Sequence, residues 1–220
     1  MNRQLQAARR LVIVDDHPLV REGIMAKLAA QGDLEVCGEA ESENDALALI
    51  KETKPELVLV DISLKDGHGL ELIKQIKSRY PQIKMLVLSA SQEALYGERC
   101  LRAGALGYLN KQESNAKLLE AIRTVLDGKR FMSPELTRRL LTRALDPGVE
   151  DRSPTEALTD RELEVFRLVG EGMTTNAIAN KLFLSSHTVD SHRENIKKKL
   201  GLENAAELSR AAVEWVLSQQ

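Results

Sequence analysis

Residues 57–63 read LVLVDIS, and residues 11–16 read LVIVDD. Each stretch begins with four consecutive apolar residues and changes abruptly to aspartate, at Asp61 in one and Asp15 in the other. Uninterrupted apolar runs of this length are typical of strands buried on both faces of a parallel sheet. Functional sites in such sheets form beyond the carboxyl ends of the strands, so these aspartates are candidate functional residues.

The same pattern extends through the first half of the chain. Further apolar runs predict strands at Leu34–Cys37, Met85–Leu88 and Leu106–Leu109. Apolar residues at three- and four-residue spacing predict helices at Leu19–Ala29, Asn44–Lys51, Leu70–Ser78 and Ala116–Leu126. A strand–helix order repeated five times predicts an α/β fold, with a doubly wound five-stranded parallel sheet and helices on both faces.

The second half of the chain predicts a linker and then a C-terminal all-α domain of four helices. Ser133-Pro134 opens a short linker helix that ends near Ala144, and a polar hinge extends from there to Pro154. The four helices begin at a capping box, Thr159-x-x-Glu162, and continue at Thr174–Leu182, Ser185–Leu200 and Asn204–Leu217. The predicted domains are residues 1–128 and 155–220, joined by a linker at 129–154.

The composition is that of a soluble globular protein, with 220 residues, 43% hydrophobic and 29% charged. A formal charge of −2 means that any nucleic-acid-binding surface must concentrate its basic residues locally. Cys37 and Cys100 lie far apart, which fits two free thiols. The first apolar run is too short for a signal peptide and no stretch could span a membrane, so we expect a cytoplasmic protein.

Three carboxylates are expected to meet at one edge of the predicted sheet. Asp15 and Asp16 follow the first strand and Asp61 follows the third, and these strands lie side by side in a sheet of this order. Like charges this close repel one another unless a cation with oxygen ligands neutralises them. The three acids therefore predict a site for Mg²⁺ (or Mn²⁺).

Two more polar residues follow the next strands. Ser89 comes directly after Met85–Leu88, and Lys111 comes shortly after Leu106–Leu109. A hydroxyl and an ammonium beside metal-bound carboxylates can stabilise a phosphoryl group in transfer. The alternative is that each acid merely caps the following helix, but the combination of groups at four strand ends favours the functional interpretation.

The motifs VDDHPLVREG, LVLVDISLKDGHGLEL, LSA and AGALGYLNK resemble those of response-regulator receiver domains, over about residues 9–128. The resemblance implies a flavodoxin-like receiver and assigns roles to seven residues: Asp61 as phosphoacceptor, Asp15 and Asp16 as metal-site acids, the Ser63 backbone carbonyl as a further metal ligand, Ser89 as the switch hydroxyl, Tyr108 as the aromatic switch residue, and Lys111 as the phosphate-binding lysine.

The chain departs from that family in the loop after the phosphoacceptor. Lys65 stands where many members have a proline, which leaves the shape of the loop open. Residues 65–69 are glycine-rich and are expected to be mobile. His68 is interpreted as a surface residue of this loop and not as a ligand.

The predicted helix at Ser185–Leu200 has two faces, and the short connection before it fits a helix-turn-helix. Val189, His192, Ile196 and Leu200 recur at helical spacing and are expected to pack inward, with His192 as a structural histidine. The opposite face is polar: His187, Ser191, Glu194 and Lys198, flanked by Asp190 and Asn195. The lysines at 197–199 either contact phosphates or merely favour the negative end of the helix dipole.

Residues 158–202 are similar to the LuxR-type helix-turn-helix, so the chain resembles the NarL/FixJ class of transcriptional regulators. The resemblance places groove-reading positions at Thr188, Asp190, Ser191 and Glu194, with Arg193, Lys197 and Lys198 as nearby cations for the DNA. Some relatives carry lysines at 190 and 194, so the target sequence cannot be carried over. The last helix resembles the family's dimerisation helix, with ordinary core packing as the alternative.

These inferences predict a transcriptional regulator and not an enzyme. A histidine kinase phosphorylates Asp61, Ser89 and Lys111 move toward the new oxygens, Tyr108 swings inward, and a homodimer binds double-stranded DNA. One alternative is a phosphate-independent regulator whose receiver serves only for dimerisation. An aspartyl phosphatase is disfavoured because Ser63 stands where such enzymes place a second acid, and a cofactor-binding protein is disfavoured by the acidic strand-end loops.

Overall fold

The computed structural model describes residues 8–64, 67–90, 93–145 and 154–218. Lys65 and residues 146–153 of the predicted hinge lie outside the described residues. The chain divides into two compact units, Met1–Leu141 and Thr142–Gln220. The described part contains no helix long and apolar enough to cross a membrane.

The first unit is built from short strands that alternate with helices. Its strands are β1 (Arg9–Val14), β2 (Leu34–Ala40), β3 (Leu57–Val60), β4 (Ser63–Leu64), β5 (Gly67–His68), β6 (Lys84–Ser89) and β7 (Gly107–Asn110). Its helices are α1 (Pro18–Ala29), α2 (Glu43–Thr53), α3 (Gly69–Arg79), α4 (Glu93–Ala103), α5 (Asn115–Leu126) and the first part of α6 (Pro134–Leu145). A five-stranded parallel sheet has the order β2-β1-β3-β6-β7, which confirms the predicted α/β fold.

The apolar strands form the middle of the sheet and position the residues that follow them. Leu11–Val14 and Leu57–Val60 are at most 1% exposed, as expected for strands covered on both faces. The register pairs Val14 with Val60, and Val60 with Val87. Because these neighbouring strands end level with one another, the residues after them emerge at one edge of the sheet.

His68 differs from its sequence interpretation as a surface loop residue. Its side chain is buried, and β5, to which it belongs, forms an antiparallel pair with β4. The first N–H groups of a helix need acceptors, and His68 Nδ1 accepts a hydrogen bond of 3.2 Å from the Leu70 N–H at the start of α3. The His68 ring also packs against Tyr96, with 6.0 Å between ring centroids. The residue therefore caps a helix and fills a gap in the core.

The second unit is helical, which confirms the predicted helical C-terminal domain. A short 3₁₀ segment (Pro154–Ala157) precedes α7 (Asp160–Gly170), α8 (Thr175–Lys181), α9 (Ser186–Leu200) and α10 (Ala205–Ser218). The capping box at the start of α7 is present, because Thr159 Oγ1 accepts from the Glu162 N–H and the Glu162 carboxylate accepts from the Thr159 N–H. The Ser185 hydroxyl caps α9 at its start, and Gly201 ends it with a φ of 67°, a conformation that favours glycine.

Gly170 allows α7 and α10 to pack closely. A Cβ at this position would lie 2.4 Å from the Ala212 carbonyl oxygen, which is backbone and cannot rotate away. We expect Gly170→Ala to lower the free energy of unfolding of the second unit by about 1–3 kcal/mol. Denaturant unfolding followed by Trp215 fluorescence measures this, because Trp215 packs against Phe166 of α7. Gly23→Ala in α1, where a Cβ meets nothing within 4 Å, should leave that transition unchanged.

Candidate functional site

The acidic pocket, which consists of Asp15, Asp16 and Asp61, lies at the carboxyl edge of the sheet. Asp15 follows β1 and Asp61 follows β3, and both side chains are buried, at 2% and 3% exposed. Their backbones continue the sheet, because Asp15 N–H donates to the Ala40 carbonyl and Asp61 N–H donates to the Val14 carbonyl. The structure therefore brings together the acids that the strand order predicts to meet.

Lys111 neutralises part of this pocket. Its Nζ lies 2.7 Å from Asp61 Oδ2 and 2.6 Å from Asp15 Oδ2. The Lys111 N–H donates to the carbonyl of Ser89, so the ends of β6 and β7 are joined beside the pocket. The nearby Ser63 backbone N–H also acts to lower the pKa of Asp61. A buried aspartate with an ammonium on its carboxylate and a backbone N–H nearby can act as a nucleophile whose surroundings stabilise added negative charge.

The burial of Asp61 sets its protonation behaviour. Burial and the neighbouring Asp15 raise the pKa of Asp61 to about 6, although the Lys111 ammonium and the Ser63 N–H act in the opposite direction. Burial lowers the pKa of Lys111, but the charges and hydrogen bonds of Asp61 and Asp15 outweigh it and raise that pKa overall. The lysine is therefore charged at neutral pH, and Asp61 gains or loses its proton near pH 6.

Four groups in this pocket could hold a metal ion. Ligand atoms of Asp15, Asp16, His17 and Asp61 all lie within 4.8 Å of one another. Asp16 Oδ1 is buried and accepts no hydrogen bond among the described residues, although His17 Nδ1 lies 2.7 Å from it. Carboxylate oxygens are the ligands that Mg²⁺ and Mn²⁺ prefer, and an acceptor without a donor is satisfied by a cation. The residues present therefore fit a divalent cation.

Tyr108 lies in β7 next to Ser89 and is already buried. Burial raises the pKa of its hydroxyl far above the ordinary value, although a hydrogen bond with the Ser89 side chain acts the other way. The structure thus already has the inward position that the hypothesis above assigns to the phosphorylated state. The resemblance of the sequence motifs to receiver domains did not predict the hydrogen bond between Tyr108 and Ser89, because it depends on the side-chain conformations of both residues.

Helices α8 and α9 form the predicted helix-turn-helix. At the centre of the inward face of α9, the side chains are buried as predicted. Val189 and Ile196 are fully buried, while His192 and Leu200 are half-buried. Burial and the nearby Arg161 lower the pKa of His192, as expected for a structural histidine. The turn includes Phe183, which has a φ of 53°. The Arg161 guanidinium donates to the Leu182 carbonyl and so fixes the end of α8.

The candidate DNA-binding residues lie on or beside the exposed face of α9, and several make local contacts. The Thr188 hydroxyl lies 2.8 Å from the Ser185 hydroxyl, Ser191 Oγ donates to the His187 carbonyl, and Asp190 accepts from Thr175 of α8 at 3.3 Å. Glu194 pairs with Lys197 at 2.9 Å. Lys198 is exposed and Arg193 is half-buried. The exposed Lys198 is therefore available to an anion, whereas Glu194 offsets the charge of Lys197 and Glu162 lies 2.6 Å from Lys199 Nζ.

Sequence reasoning missed two residues at the acidic pocket, His17 and Arg21. Arg21 donates to the Asp15 carbonyl at 2.6 Å and pairs with Glu39 at 2.8 Å, which fixes the backbone at the end of β1. His17 contributes one of the four candidate ligands. Its position between Asp16 and the first residue of α1 was the signal that could have identified it.

Comparisons with known proteins agree with this arrangement. Residues 11–123 match the response regulator receiver domain family, and residues 156–212 match the luxR family of bacterial regulatory proteins. Response regulator GacA of Pseudomonas viridiflava is 35% identical over 204 residues, which cover 93% of this chain and 95% of GacA. RcsB of Salmonella enterica serovar Typhimurium, bound to promoter rprA with the phosphomimetic BeF3−, has a TM-score of 0.63 at 28% identity, over 94% of this chain and 98% of RcsB. A structure of two RcsB dimers bound to two parallel DNAs has a TM-score of 0.57 at 28% identity, over 96% of this chain and 98% of the RcsB chain.

Proposed function

Because the chain belongs to the NarL/FixJ class of two-component response regulators, DNA-binding transcription regulators with a receiver and a LuxR-type domain, we propose that phosphorylation of Asp61 controls its binding to DNA. The observation that carries this proposal is the Lys111 ammonium, 2.7 Å and 2.6 Å from two buried carboxylates. Burying charged groups carries a desolvation cost, and an ammonium held in this position can stabilise the negative charge of a phosphoryl group.

In the proposed reaction, a carboxylate oxygen of Asp61 attacks the phosphorus of a phosphohistidine in the partner kinase, or of a small acyl phosphate. The bond from phosphorus to the donor breaks as the acyl phosphate of Asp61 forms. Asp15, Asp16, Asp61 and the Ser63 carbonyl would hold Mg²⁺ or Mn²⁺, which neutralises charge on the transferring oxygens. Lys111 leaves Asp61 and pairs with the new oxygens, while Ser89 exchanges its bond to Tyr108 for one to the phosphoryl group.

The wider proposal follows from these residues and from the relatives. RcsB binds DNA as dimers, and we assign the same to this chain, with a homodimer on double-stranded DNA. The proposed domains are residues 1–128 and 155–220 with a linker at 129–154. The chain acts in the cytoplasm with a cognate histidine kinase, without membrane contact, and is not itself an enzyme acting on a substrate. The alternative, a receiver that only dimerises, leaves the buried Asp61–Lys111 pair without a use.

Metal binding should depend on pH through Asp61. A proton on Asp61 competes with the cation, and the pKa of Asp61 is raised to about 6. We therefore expect the affinity for Mg²⁺ to be nearly constant above pH 7 and to fall about tenfold for each pH unit well below 6. Calorimetric titration at several pH values measures this. Asp61→Asn, which cannot titrate, should lose this step, and a pH-independent affinity in the unsubstituted chain would contradict the assignment.

Lys198 should contribute to DNA affinity without reading sequence. It is exposed near the end of α9, so we expect Lys198→Ala to weaken binding to all duplexes alike and to reduce the salt-dependence slope by about 1. Glu194→Gln should have the opposite effect, because it removes a negative charge and releases Lys197 from the ion pair. Fluorescence anisotropy with labelled duplexes over a range of salt concentrations measures the affinity and the salt-dependence slope of each variant. Lys129→Ala, an exposed lysine of the first unit, is the control; equal slopes for all variants would place the DNA elsewhere.

A further inference from the structure

His17 places a nitrogen donor at the mouth of the acidic pocket. Its Nδ1 lies 2.7 Å from Asp16 Oδ1 and 3.3 Å from Asp15 Oδ1, although its side chain is 63% exposed. With Asp15, Asp16 and Asp61 it forms the group whose ligand atoms lie within 4.8 Å of one another. The ring is thus open to solvent on one side and faces the carboxylates on the other.

The backbone fixes this position. The His17 N–H donates to Asp15 Oδ1 at 2.9 Å, and the His17 carbonyl accepts from Val20 and Arg21 in the first turn of α1. Pro18 follows at the first helical position and restricts the backbone further. The side chain of His17 makes no capping hydrogen bond to the helix. The helix start therefore carries the imidazole over the pocket, where Nδ1 faces the carboxylates of Asp15 and Asp16 instead of capping the helix.

The distances match those between adjacent ligands of one ion. An octahedral ion with bonds of about 2.1 Å has adjacent ligands about 3.0 Å apart and opposite ligands about 4.2 Å apart. The two distances from Nδ1 lie on either side of the first value, and the 4.8 Å limit of the group is close to the second. A hydrogen bond accounts for the 3.3 Å contact of Nδ1 with Asp15 Oδ1. It does not account for the 2.7 Å contact with Asp16 Oδ1, because that oxygen has no hydrogen-bond partner among the described residues.

We propose that His17 Nδ1 is a ligand of the bound cation, so that this pocket selects Mn²⁺ and similar transition-metal ions over Mg²⁺. Mg²⁺ takes oxygen ligands and keeps its waters, whereas imidazole is a good ligand for first-row transition metals. With His17 coordinated, Mn²⁺ exchanges one water for nitrogen, and Mg²⁺ gains little from the same contact. This inference rests on the proposed function, because it requires a cation in the acidic pocket.

The test compares two metals on the full chain with and without the imidazole. Calorimetric titrations with Mn²⁺ and with Mg²⁺ should show that His17→Ala weakens Mn²⁺ binding about tenfold or more, a loss typical of a disturbed ligand set. The Mg²⁺ affinity of His17→Ala should equal that of the unsubstituted chain within the error of the titration. Pulsed electron paramagnetic resonance of bound Mn²⁺ should show coupling to an imidazole nitrogen, which His17→Ala removes. The control is His187→Ala, at an exposed histidine of α9. It should change neither the two metal affinities nor the nitrogen coupling.

The outcomes separate this inference from the function it rests on. Equal Mn²⁺ affinity in the two chains, without nitrogen coupling in the unsubstituted one, would place His17 outside the ligand set and overturn the inference. If Mg²⁺ still binds and Asp61 still accepts phosphate in that case, the proposed function stands. If neither metal binds the unsubstituted chain, both the metal site of the proposed function and the role of His17 are wrong.

Discussion

Asp61→Asn is expected to abolish phosphate incorporation from acetyl phosphate and Mg²⁺, whereas the unsubstituted chain gains the mass of one phosphoryl group. Asparagine has nearly the shape of aspartate but no carboxylate oxygen that can attack phosphorus. The substitution also removes one of two carboxylates that burial brings together, so we expect the first unit to stay folded. Intact-protein mass spectrometry measures the phosphorylated fraction.

The matched control is Asp127→Asn, at an exposed aspartate that caps the end of α5. This variant should be phosphorylated as fully as the unsubstituted chain. Asp16→Asn, at the same pocket but without the nucleophile, should slow the reaction and not move its site. Full phosphorylation of the Asp61 variant would show that another residue accepts the group, and the account of the pocket would then fail.

Lys111→Met is expected to lower the free energy of unfolding of the metal-free first unit by about 3–5 kcal/mol at neutral pH. Methionine has a similar length but no charge, so two buried carboxylates, at 2.6 Å and 2.7 Å from the ammonium, lose their cation together. Thermal unfolding followed by circular dichroism measures this loss in the absence of metal.

The loss should depend on pH. The pKa of Asp61 in the folded chain is raised to about 6, above that of an unfolded aspartate, so ionising this residue costs folding stability as the pH rises through 6. Without Lys111 that pKa rises further, and a protonated Asp61 needs no cation. The destabilisation should therefore be largest above pH 7 and should shrink as the pH falls toward 4, near the pKa of an unfolded aspartate of about 3.9.

Lys117→Met is the matched control, because Lys117 of α5 forms an exposed ion pair of 2.7 Å with Glu113, which precedes the helix. A surface pair of this kind contributes about 0–1 kcal/mol, so its loss should be small and nearly independent of pH above 6. If Lys111→Met unfolds like the unsubstituted chain at every pH, the ammonium does not neutralise these carboxylates in solution.

The sheet could be predicted because its strands are sharply marked in the sequence. Residues 57–60 are apolar and are followed at once by Asp61, and the strand β3 has those bounds. Strand β2 was harder to predict, because Glu35 and Glu39 interrupt its apolar residues. It extends beyond the predicted end at Cys37 to Ala40, where it still pairs with β1. Pairing between strands, which no local pattern records, sets that end.

The acidic pocket could be predicted as a set of residues but not as a set of contacts. The strand order alone brings Asp15, Asp61, Ser89 and Lys111 to one edge of the sheet. That Lys111 bridges two carboxylates, and that Tyr108 is buried against Ser89, depends on side-chain conformations. The interpretation of His68 was wrong because the short β4–β5 pair, which turns its ring inward, involves only two residues on each side.

The exposed face of α9 could likewise be predicted from helical spacing, and its buried centre at Val189 and Ile196 agrees. The spacing could not show that Thr175 of α8 donates to Asp190, or that Glu194 pairs with Lys197. The turn at Phe183 brings Thr175 and Asp190 together, whereas Glu194 and Lys197 pair within α9. Both contacts decide which polar groups remain available to DNA.

The affinity for DNA before and after phosphorylation of the same sample is the measurement that bears on the whole account. A duplex is first selected from a random library with the phosphorylated chain, and its dissociation constant is then measured with and without acetyl phosphate in Mg²⁺. We predict tighter binding after phosphorylation, and no such change for Asp61→Asn. An unchanged dissociation constant in a sample that mass spectrometry shows to be fully phosphorylated would contradict phosphate control and favour a receiver that serves only for dimerisation.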